Sequence, residues 1–444
     1  MTDMITTPVP KTPEEEIKAA GGVLGWYAGL PTPIRWMAGA SIGILLLSVV
    51  QLVSGDGADA LTASGTSGAM LRFAVPILLA GLGGLWSERA GVVNIGLEGM
   101  MILGTWFGAW GVVNFGTPWA GLLCGAIGGA IGGLLHAVAT VSFGVDHIIS
   151  GVAINILAPG LTRFLADQVF SNWDGGSISQ SPRAVGLPKV NVPYLAGGRL
   201  PGSDDRTFNL LGEIADTDFF FVSDVAAFAQ GLFTQVSLFT ILAILFVPLS
   251  AWSLWKTRLG IRIRICGERP EAGESLGVNI YYHKYVAVIT SGVFAGLAGG
   301  FIAMELAGGY REGQTLGRGF IGLAALIFGN WRPGGVLFGS LLFGYPFVLA
   351  LRDGTGESTH ALLLVITVLL SVVVVLSVRQ ERKADAIIAA VLASTLFIWW
   401  VLTDTAPSWL PNAMPYAAVL LVLVFMSQRL RMPAADGQIY RKGG

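Results

Sequence analysis

Long apolar blocks alternate with short polar segments along most of the chain. Each block is about twenty residues long, the length that an α-helix needs to cross the hydrocarbon core of a bilayer. The pattern predicts an all-α polytopic membrane protein with about 12 transmembrane helices, some of them short enough to be broken or re-entrant. The predicted spans lie near residues 34–53, 69–86, 98–113, 118–142, 147–166, 229–252, 285–306, 316–330, 333–352, 360–378, 386–403 and 413–428.

Polar ends flank the predicted transmembrane domain, which runs over 34–428. The segment 1–33 contains several Pro and Glu residues and lacks the basic start and apolar core of a cleaved signal peptide. We predict that it is a cytoplasmic tail with one short amphipathic turn near 17–27. The segment 429–444 is predicted to be a second cytoplasmic tail.

The distribution of Lys and Arg predicts the orientation of the chain. The loop 253–284 carries six basic residues, whereas 54–68 and 404–412 carry none. Because cytoplasmic loops are enriched in basic residues, we predict that 253–284 and both termini lie in the cytoplasm. The long segment 168–228 is then extracytoplasmic.

Composition supports the membrane assignment and excludes several classes of protein. Hydrophobic residues make up 53% of the 444 and charged residues 12%, against about 25% charged residues in soluble domains. The net charge of −1 argues against nucleic-acid binding. Two isolated cysteines, Cys124 and Cys266, exclude a disulfide scaffold.

Enzymatic motifs are absent from the sequence. No phosphate-binding loop of the form G-x-x-x-x-G-K-[ST] occurs, so we do not expect the chain to hydrolyse ATP by itself. It contains no H-E-x-x-H, and its four histidines are scattered. We therefore predict no catalytic residue, no metal site and no cofactor bound by this chain.

Two predicted spans carry small residues at every fourth position. This spacing places them on one helix face, where a neighbouring backbone can approach closely. We interpret them as sites of tight packing within the chain, with a subunit interface or a moving surface as the alternative. The two ladders are Gly121, Gly125, Gly129, Gly133 and Gly292, Gly296, Gly300.

The stretch 87–99 places polar residues between two apolar blocks. Its glycines suggest a broken helix whose free backbone groups line a cavity. We interpret Glu88 and Arg89 as an ion pair at the cytoplasmic interface. Asn94 and Glu98 lie further along and are candidates for a substrate pathway, with bonding between helices as the alternative.

A short helix is predicted inside the basic loop. Pro suits the first turn of a helix, acidic residues suit its positive end, and Gly suits its stop. Such a helix would serve as a docking element for a partner; the alternative is an ordinary positive-inside loop, which has the same composition. The residues are Pro270, Glu271, Ala272, Gly273, Glu274, Ser275, Leu276 and Gly277.

The segment 313–335 carries a third candidate. Arg318 enters a short apolar stretch there, which suggests a half-helix beside a cavity. The alternative is an arginine that extends to the outer membrane interface.

Four sequence segments resemble the permease subunits of bacterial ABC importers for nucleosides and simple sugars, in the ribose and branched-chain amino acid permease superfamily. Within it the chain is most similar to the second permease of nucleoside importers, over 69–166, 229–352 and 413–440. The segments are SERAGVVNIGLEGMM (87–101), DHIISGVAINILAPGLTRFL (146–165), GRGFIGLAALIFGNWRPGG (317–335) and RLRMPAADGQIY (429–440).

The resemblance implies an importer in the bacterial plasma (inner) membrane. Its other parts would be a second, related permease, a cytoplasmic ABC ATPase that binds ATP and Mg²⁺, and an extracytoplasmic substrate-binding lipoprotein. The helix at 270–277 then resembles the coupling helix that seats in the ATPase. The residues expected along the substrate pathway are Asn94, Glu98, Asn155 and Arg318.

The chain also departs from this family. Members typically have about ten spans, and 353–412 brings two inserted ones before the last helix. The loop 168–228 is long enough to contact the binding lipoprotein. Gly273 stands where alanine is expected, and glycine costs about 1 kcal/mol of helix propensity.

Three alternatives stay open from the sequence. Related permeases also carry ribose-like sugars and branched-chain amino acids. An ion-coupled secondary transporter would need intramembrane acids, for which Glu98 and Glu305 are the candidates. A membrane-embedded enzyme is the remaining alternative.

Overall fold

The computed structural model describes residues 32–200, 202–352, 356–379, 381–407, 409–426 and 430–441, and this part of the chain is predominantly helical, with two short strands. The α-helices are α1 (Thr32–Ser54), α2 (Ser64–Arg89), α3 (Leu97–Phe115), α4 (Pro118–Ala137), α5 (His147–Val169), α6 (Leu210–Ala215), α7 (Val222–Phe233), α8 (Leu238–Lys256), α9 (Arg258–Glu268), α10 (Pro270–Ser275), α11 (Ile280–Phe301), α12 (Arg318–Phe328), α13 (Pro333–Arg352), α14 (Glu357–Arg379), α15 (Lys383–Leu402) and α16 (Leu410–Met426).

Short irregular elements complete the described chain. Short 3₁₀ helices cover Asp56–Leu61 and Phe170–Asn172, and π-helical turns extend α4 over Val138–Ser142 and α11 over Ile302–Leu306. Two-residue strands β1 (Lys189–Val190) and β2 (Val236–Ser237) pair antiparallel, with Lys189 opposite Ser237.

Seven helical segments among the described residues are long and apolar enough to cross a membrane. Four of them are the helices α2, α8, α14 and α15. The other three are α4 and α11, each with its π turn, and α5 with its 3₁₀ turn. Their outer faces carry large exposed side chains such as Ile156, Leu245 and Val401. In a polytopic protein such faces contact lipid, so the chain is a multi-pass membrane protein.

Helix α2 lies at the centre of the bundle. Leu78, Leu79 and Leu82 in its middle are fully buried, and α2 packs against α11, α12 and α13. Helix α4 packs against α3 and α11 through the two glycine ladders. A Cβ atom on Gly125 would lie 3.1 Å from the carbonyl oxygen of Gly296. The prediction of tight packing within the chain is therefore confirmed.

Every predicted span contains a helix, with two differences in extent. The block 229–252 contains a break, because α7 ends at Phe233 and α8 begins at Leu238. The block 316–330 holds only the 11-residue helix α12, which is too short to cross a bilayer alone. The predicted amphipathic turn at 17–27 lies outside the described residues.

The predicted inserted helices pack together at one side. Helices α14 and α15 form an antiparallel pair, and α14 also contacts α1. His360 of α14 lies 3.1 Å from the hydroxyl of Thr403 and stacks on Trp400 with ring centroids 6.1 Å apart.

Candidate functional site

The backbone between α2 and α3 is not helical. Helix α2 ends at Arg89, Gly91 adopts a left-handed φ of 77°, and α3 begins only at Leu97. A side chain at 91 would be strained by this φ and would also meet the carbonyl oxygen of Ala435. The predicted break in this stretch is confirmed.

The broken segment meets the start of a second helix. Glu98, in the first turn of α3, accepts hydrogen bonds from the backbone N–H groups of Gly317 (3.0 Å) and Gly319 (2.7 Å). These groups belong to the free N–H groups at the start of α12. A negative charge is favoured there because helix N-termini carry partial positive charge. The Glu98 carboxylate thus joins two helix starts.

Arg318 is buried beside this contact, with 4% of its surface exposed. Its guanidinium donates to the carbonyl oxygens of Gln314 (2.9 Å) and Thr315 (3.2 Å). It also lies over the rings of Phe73 and Phe347, at 5.3 and 5.1 Å. The alternative of an arginine that extends to the outer interface is therefore wrong, because its hydrogen bonds and ring contacts are internal.

Asn155 of α5 contacts the non-helical segment between α2 and α3 and the first turn of α3 through two hydrogen bonds. Its side-chain oxygen accepts from the N–H of Gly99 at 2.7 Å, and its amide nitrogen donates to the carbonyl oxygen of Ile95 at 3.0 Å. One side chain therefore ties the irregular segment and the first turn of α3 to α5. The structure brings Asn155, Glu98 and Arg318 to the two helix starts.

Asn94 lies on the side of the break that faces α11. It is fully buried, and its amide donates to the hydroxyl of Ser291 at 2.9 Å. Its side-chain oxygen has no hydrogen-bond partner within the described part of the chain. A buried carbonyl oxygen without a partner is costly, so Asn94 is an energetically strained point in the packing of the break against α11.

Polar side chains also surround the far end of the bundle, opposite α10. A cavity of about 530 Å³ opens there beside the segment that leads to α12, and Arg183, Tyr310 and Arg311 line it. Lys189 of β1 forms an ion pair of 2.9 Å with Glu305 in the π turn after α11. No group of three or more potential metal ligands occurs among the described residues.

The predicted short helix is present as α10. Pro270 occupies its first turn, and Gly277 follows its end with a left-handed φ of 77°. The exposed residues are Glu271, Ala272, Ser275, Leu276 and Gly277; Glu274 is half-buried. A Cβ atom on Gly273 would lie 2.6 Å from the side chain of Ile265, so packing explains the glycine where alanine was expected.

The interpretation of Glu88 and Arg89 as a mutual ion pair is wrong. Glu88 accepts from the indole N–H of Trp331 at 2.5 Å, whereas Arg89 donates to the Trp331 carbonyl oxygen at 2.7 Å and pairs with Glu268 at 3.7 Å. Trp331 has a left-handed φ of 53°, and this turn directs both of its polar groups toward α2. The sequence places Glu88 and Arg89 next to each other, and nothing in that pattern indicates Trp331 as their partner.

Sequence reasoning also missed Ser291 and the backbone groups of Gly317 and Gly319. Ser291 lies within the predicted glycine-ladder helix, and only its polarity in an apolar block distinguishes it. The glycine N–H groups give no side-chain signal at all. The tail motif RLRMPAADGQIY (429–440) was the available hint that 430–441 is structured.

The chain is similar to several transport proteins. It is 38% identical to a nucleoside ABC transporter permease protein of Lactococcus lactis and 37% identical to a guanosine ABC transporter permease protein of Bacillus subtilis, covering 64% of this chain and 81% of each relative. A candidate glucose ABC transporter permease protein of Haloferax volcanii is 35% identical over 66% of this chain and 78% of the relative.

A second permease protein from each of the two bacteria also matches, at 24% identity in Lactococcus lactis and 25% in Bacillus subtilis. No solved structure matches the chain. The family described as branched-chain amino acid transport system / permease component matches residues 68–374, which run from α2 into α14. The chain therefore belongs to this permease family.

Proposed function

We propose that the protein is the membrane-spanning permease subunit of an ATP-driven ABC importer that moves nucleosides across the bacterial plasma membrane. The similarity to nucleoside and guanosine permeases over 81% of their length carries this proposal. Both termini and the loop 253–284 are then cytoplasmic, as the distribution of basic residues favours.

ATP hydrolysis belongs to a separate subunit in this proposal. The sequence has no phosphate-binding loop, so ATP and Mg²⁺ bind the ATPase partner. The exposed side of α10, with Glu271, and the exposed Leu276 that follows the helix form its seat. Leu276 has 77% of its surface exposed, which suits a residue that a partner covers.

The other partners are a second permease and an extracytoplasmic substrate-binding lipoprotein. Two bacterial relatives each have a second matching permease in the same organism, which favours a pair of different chains. The lipoprotein would dock on the long segment 168–228, at the end of the bundle opposite α10.

The substrate pathway runs past the two helix starts at Glu98 and Gly319. Backbone N–H groups and non-helical backbone at membrane depth are tolerated where they line a cavity. Asn94 supplies an unpaired oxygen for a hydroxyl or amine donor, and Asn155 and Glu98 position the backbone around it. These donors and acceptors suit a polar, uncharged nucleoside.

Other cargoes define the alternatives. The similarity to a candidate glucose permease supports a sugar, and the description of the family names branched-chain amino acids. An ion-coupled carrier finds less support, since both acids it would use have partners: Glu98 binds two N–H groups, and Glu305 pairs with Lys189.

The test is uptake of labelled uridine and adenosine into proteoliposomes containing this chain, its second permease, the ATPase and the binding protein. Unlabelled guanosine, glucose, ribose and leucine serve as competitors. We expect ATP-dependent uptake that guanosine alone suppresses. A matched preparation with a hydrolysis-deficient ATPase is expected to transport nothing.

Two results would contradict the proposal. If only a sugar or leucine suppresses the uptake, the protein is still an ABC importer permease, but its cargo is not a nucleoside. Uptake by this chain alone, driven by an ion gradient without the ATPase, would replace the class.

A further inference from the structure

The C-terminal segment 430–441, which we call the C-terminal strap, folds back on the α10 end of the bundle. The N–H of Ala435 donates to the carbonyl oxygen of Gly267 at 2.8 Å. The N–H of Arg431 donates to the side-chain oxygen of Asn330 at 2.7 Å. These bonds join the strap to the end of α9 and to the turn between α12 and α13.

The strap also contacts the helix that we propose as the ATPase seat. The hydroxyl of Tyr440 donates to the carboxylate of Glu274 in α10. The ring of Tyr440 packs edge-on against Tyr281 at the start of α11, with centroids 5.7 Å apart. One side chain of the strap therefore connects α10 with α11.

The middle of the strap reaches the broken segment between α2 and α3. Asp436 lies against the carboxyl of Glu88 and near the positive charges of Arg89 and Lys284. Two charged carboxyl groups in such proximity repel each other, and the charges of Arg89 and Lys284 offset part of that repulsion. Gly91 provides the room for this approach, since a Cβ there would lie 3.0 Å from the carbonyl oxygen of Ala435.

We propose that the C-terminal strap positions α10 relative to the α2–α3 break, so that displacement of α10 by the ATPase reaches the substrate pathway. This inference rests on the proposed function. Tyr440 and Asp436 are its positioning residues, because the first holds α10 and the second reaches Glu88 beside the break.

The geometry favours such a link. Helix α10 has six residues, too few to be stable in isolation, so its orientation depends on its contacts. Its buried side packs through Gly273 on Ile265 and Ile280, and Glu274 is the side chain that the strap holds. The strap is thus a direct connection from α10 to residues at the end of α2.

The experiment measures ATP hydrolysed per substrate transported in the complete proteoliposome complex. Tyr440→Phe removes only the hydroxyl that binds Glu274, and a chain ending at residue 429 removes the strap. Tyr282→Phe is the matched control, an exposed tyrosine at the same end of the bundle. We expect Tyr440→Phe to raise the ratio severalfold and the truncation to raise it by about tenfold, the scale of a lost hydrogen bond to a charged group.

A double-mutant cycle distinguishes positioning from a general loss of stability. Glu274→Ala and Tyr440→Phe remove the same bond, so the double variant is expected to have nearly the same ratio as either single variant. If the two substitutions instead change the ratio independently, so that their effects multiply in the double variant, Glu274 and Tyr440 do not act through a shared contact.

Thiol labelling provides a readout that does not depend on transport. Cys266 is fully buried, and burial raises the pKa of its thiol to about 11. In a Cys124→Ala background we expect maleimide to label Cys266 slowly in the intact chain and much faster after truncation. Unchanged labelling of a folded, truncated chain would overturn the docked position of the strap.

The two proposals fail in different ways. A wild-type complex without nucleoside transport would refute the proposed function. A transporting wild type whose ATP ratio is unchanged by both Tyr440→Phe and truncation, with the ATPase still bound, would refute only the role of the strap.

Discussion

The carboxylate of Glu98 accepts a hydrogen bond of 2.7 Å from the backbone N–H of Gly319, although 221 positions separate the two residues in the sequence. Helices α3 and α12 therefore begin at the same place, joined by one acidic side chain. Each N-terminus carries partial positive charge, and the carboxylate stabilises both. This contact is the point where the two irregular segments of the bundle meet.

Replacing Glu98 with alanine is expected to impair both folding and uptake. The change leaves the buried N–H of Gly319 without its acceptor, which costs about 1–3 kcal/mol. Glu98→Gln keeps one acceptor oxygen, so its stability and its uptake are expected to lie between those of the wild type and those of Glu98→Ala. The measurements are the thermal unfolding midpoint in detergent and uptake per folded molecule. Wild-type values for Glu98→Ala would show that neither helix start needs the carboxylate.

Asn94→Leu tests whether this buried amide belongs to the pathway. We expect uptake to fall by about tenfold while the amount of folded protein changes little, since the lost group is an acceptor for the passing substrate. Ser291→Ala is the matched control, because it removes the same 2.9 Å bond but keeps the oxygen of Asn94. Equal losses of uptake in both variants would assign Asn94 a structural role instead.

Glycine at position 129 is expected to be required for packing. A Cβ atom there would collide with the carbonyl oxygen of Gly292, and backbone cannot move aside cheaply. Gly129→Ala should therefore lower the free energy of unfolding by about 1–3 kcal/mol. Gly160→Ala in α5 is the control, because no atom lies within 4 Å of that Cβ. Equal unfolding midpoints for the two variants would exclude close packing of α4 on α11.

Periodicity and block length were enough to predict most helices but not where their ends meet. The break between α7 and α8 was missed because 229–237 contains neither a charged residue nor a proline. It follows from Gln235, with a φ of 52°, and from pairing of Val236 with Val190, a contact made far away in sequence. Local pattern does not contain that information.

The candidate site was predictable only in part for the same reason. Glu98 and Arg318 stood out as charges near apolar blocks, and both lie at the two helix starts. Their partners are backbone groups and rings from distant segments, which no local pattern indicates. Asp436 lies in a polar tail, and only the fold places it beside Glu88.

Glu271→Lys is expected to weaken association with the ATPase. Glu271 is exposed on α10 and close to the positive end of that helix, so a lysine reverses the charge of the proposed seat. Glu213→Lys, on the exposed helix α6 in 168–228, is the matched control. The measurement is the amount of ATPase that co-purifies with each variant. Equal recovery with Glu271→Lys and with wild type would remove α10 from the interface.

Docking of the C-terminal strap is expected to depend on pH through Asp436. Burial raises the pKa of this carboxyl from its ordinary 3.8 to about 7, against the opposing effects of the hydrogen bond with Glu88 and the charges of Lys284 and Arg89. The docked strap therefore binds a proton more tightly than the released strap does. Through Asp436, docking is strongest below about pH 4 and weakens as the pH rises toward about 7.

Hydrogen exchange of the Ala435 N–H measures this dependence directly, because that group is bonded to Gly267 in the docked strap. After correction for intrinsic exchange, protection in the wild type should fall between about pH 5 and about pH 7. Asp436→Asn cannot ionise and keeps a hydrogen-bonding side chain opposite Glu88, so its protection should vary much less. A wild-type profile as flat as that of Asp436→Asn would mean that Asp436 does not take up a proton when the strap docks.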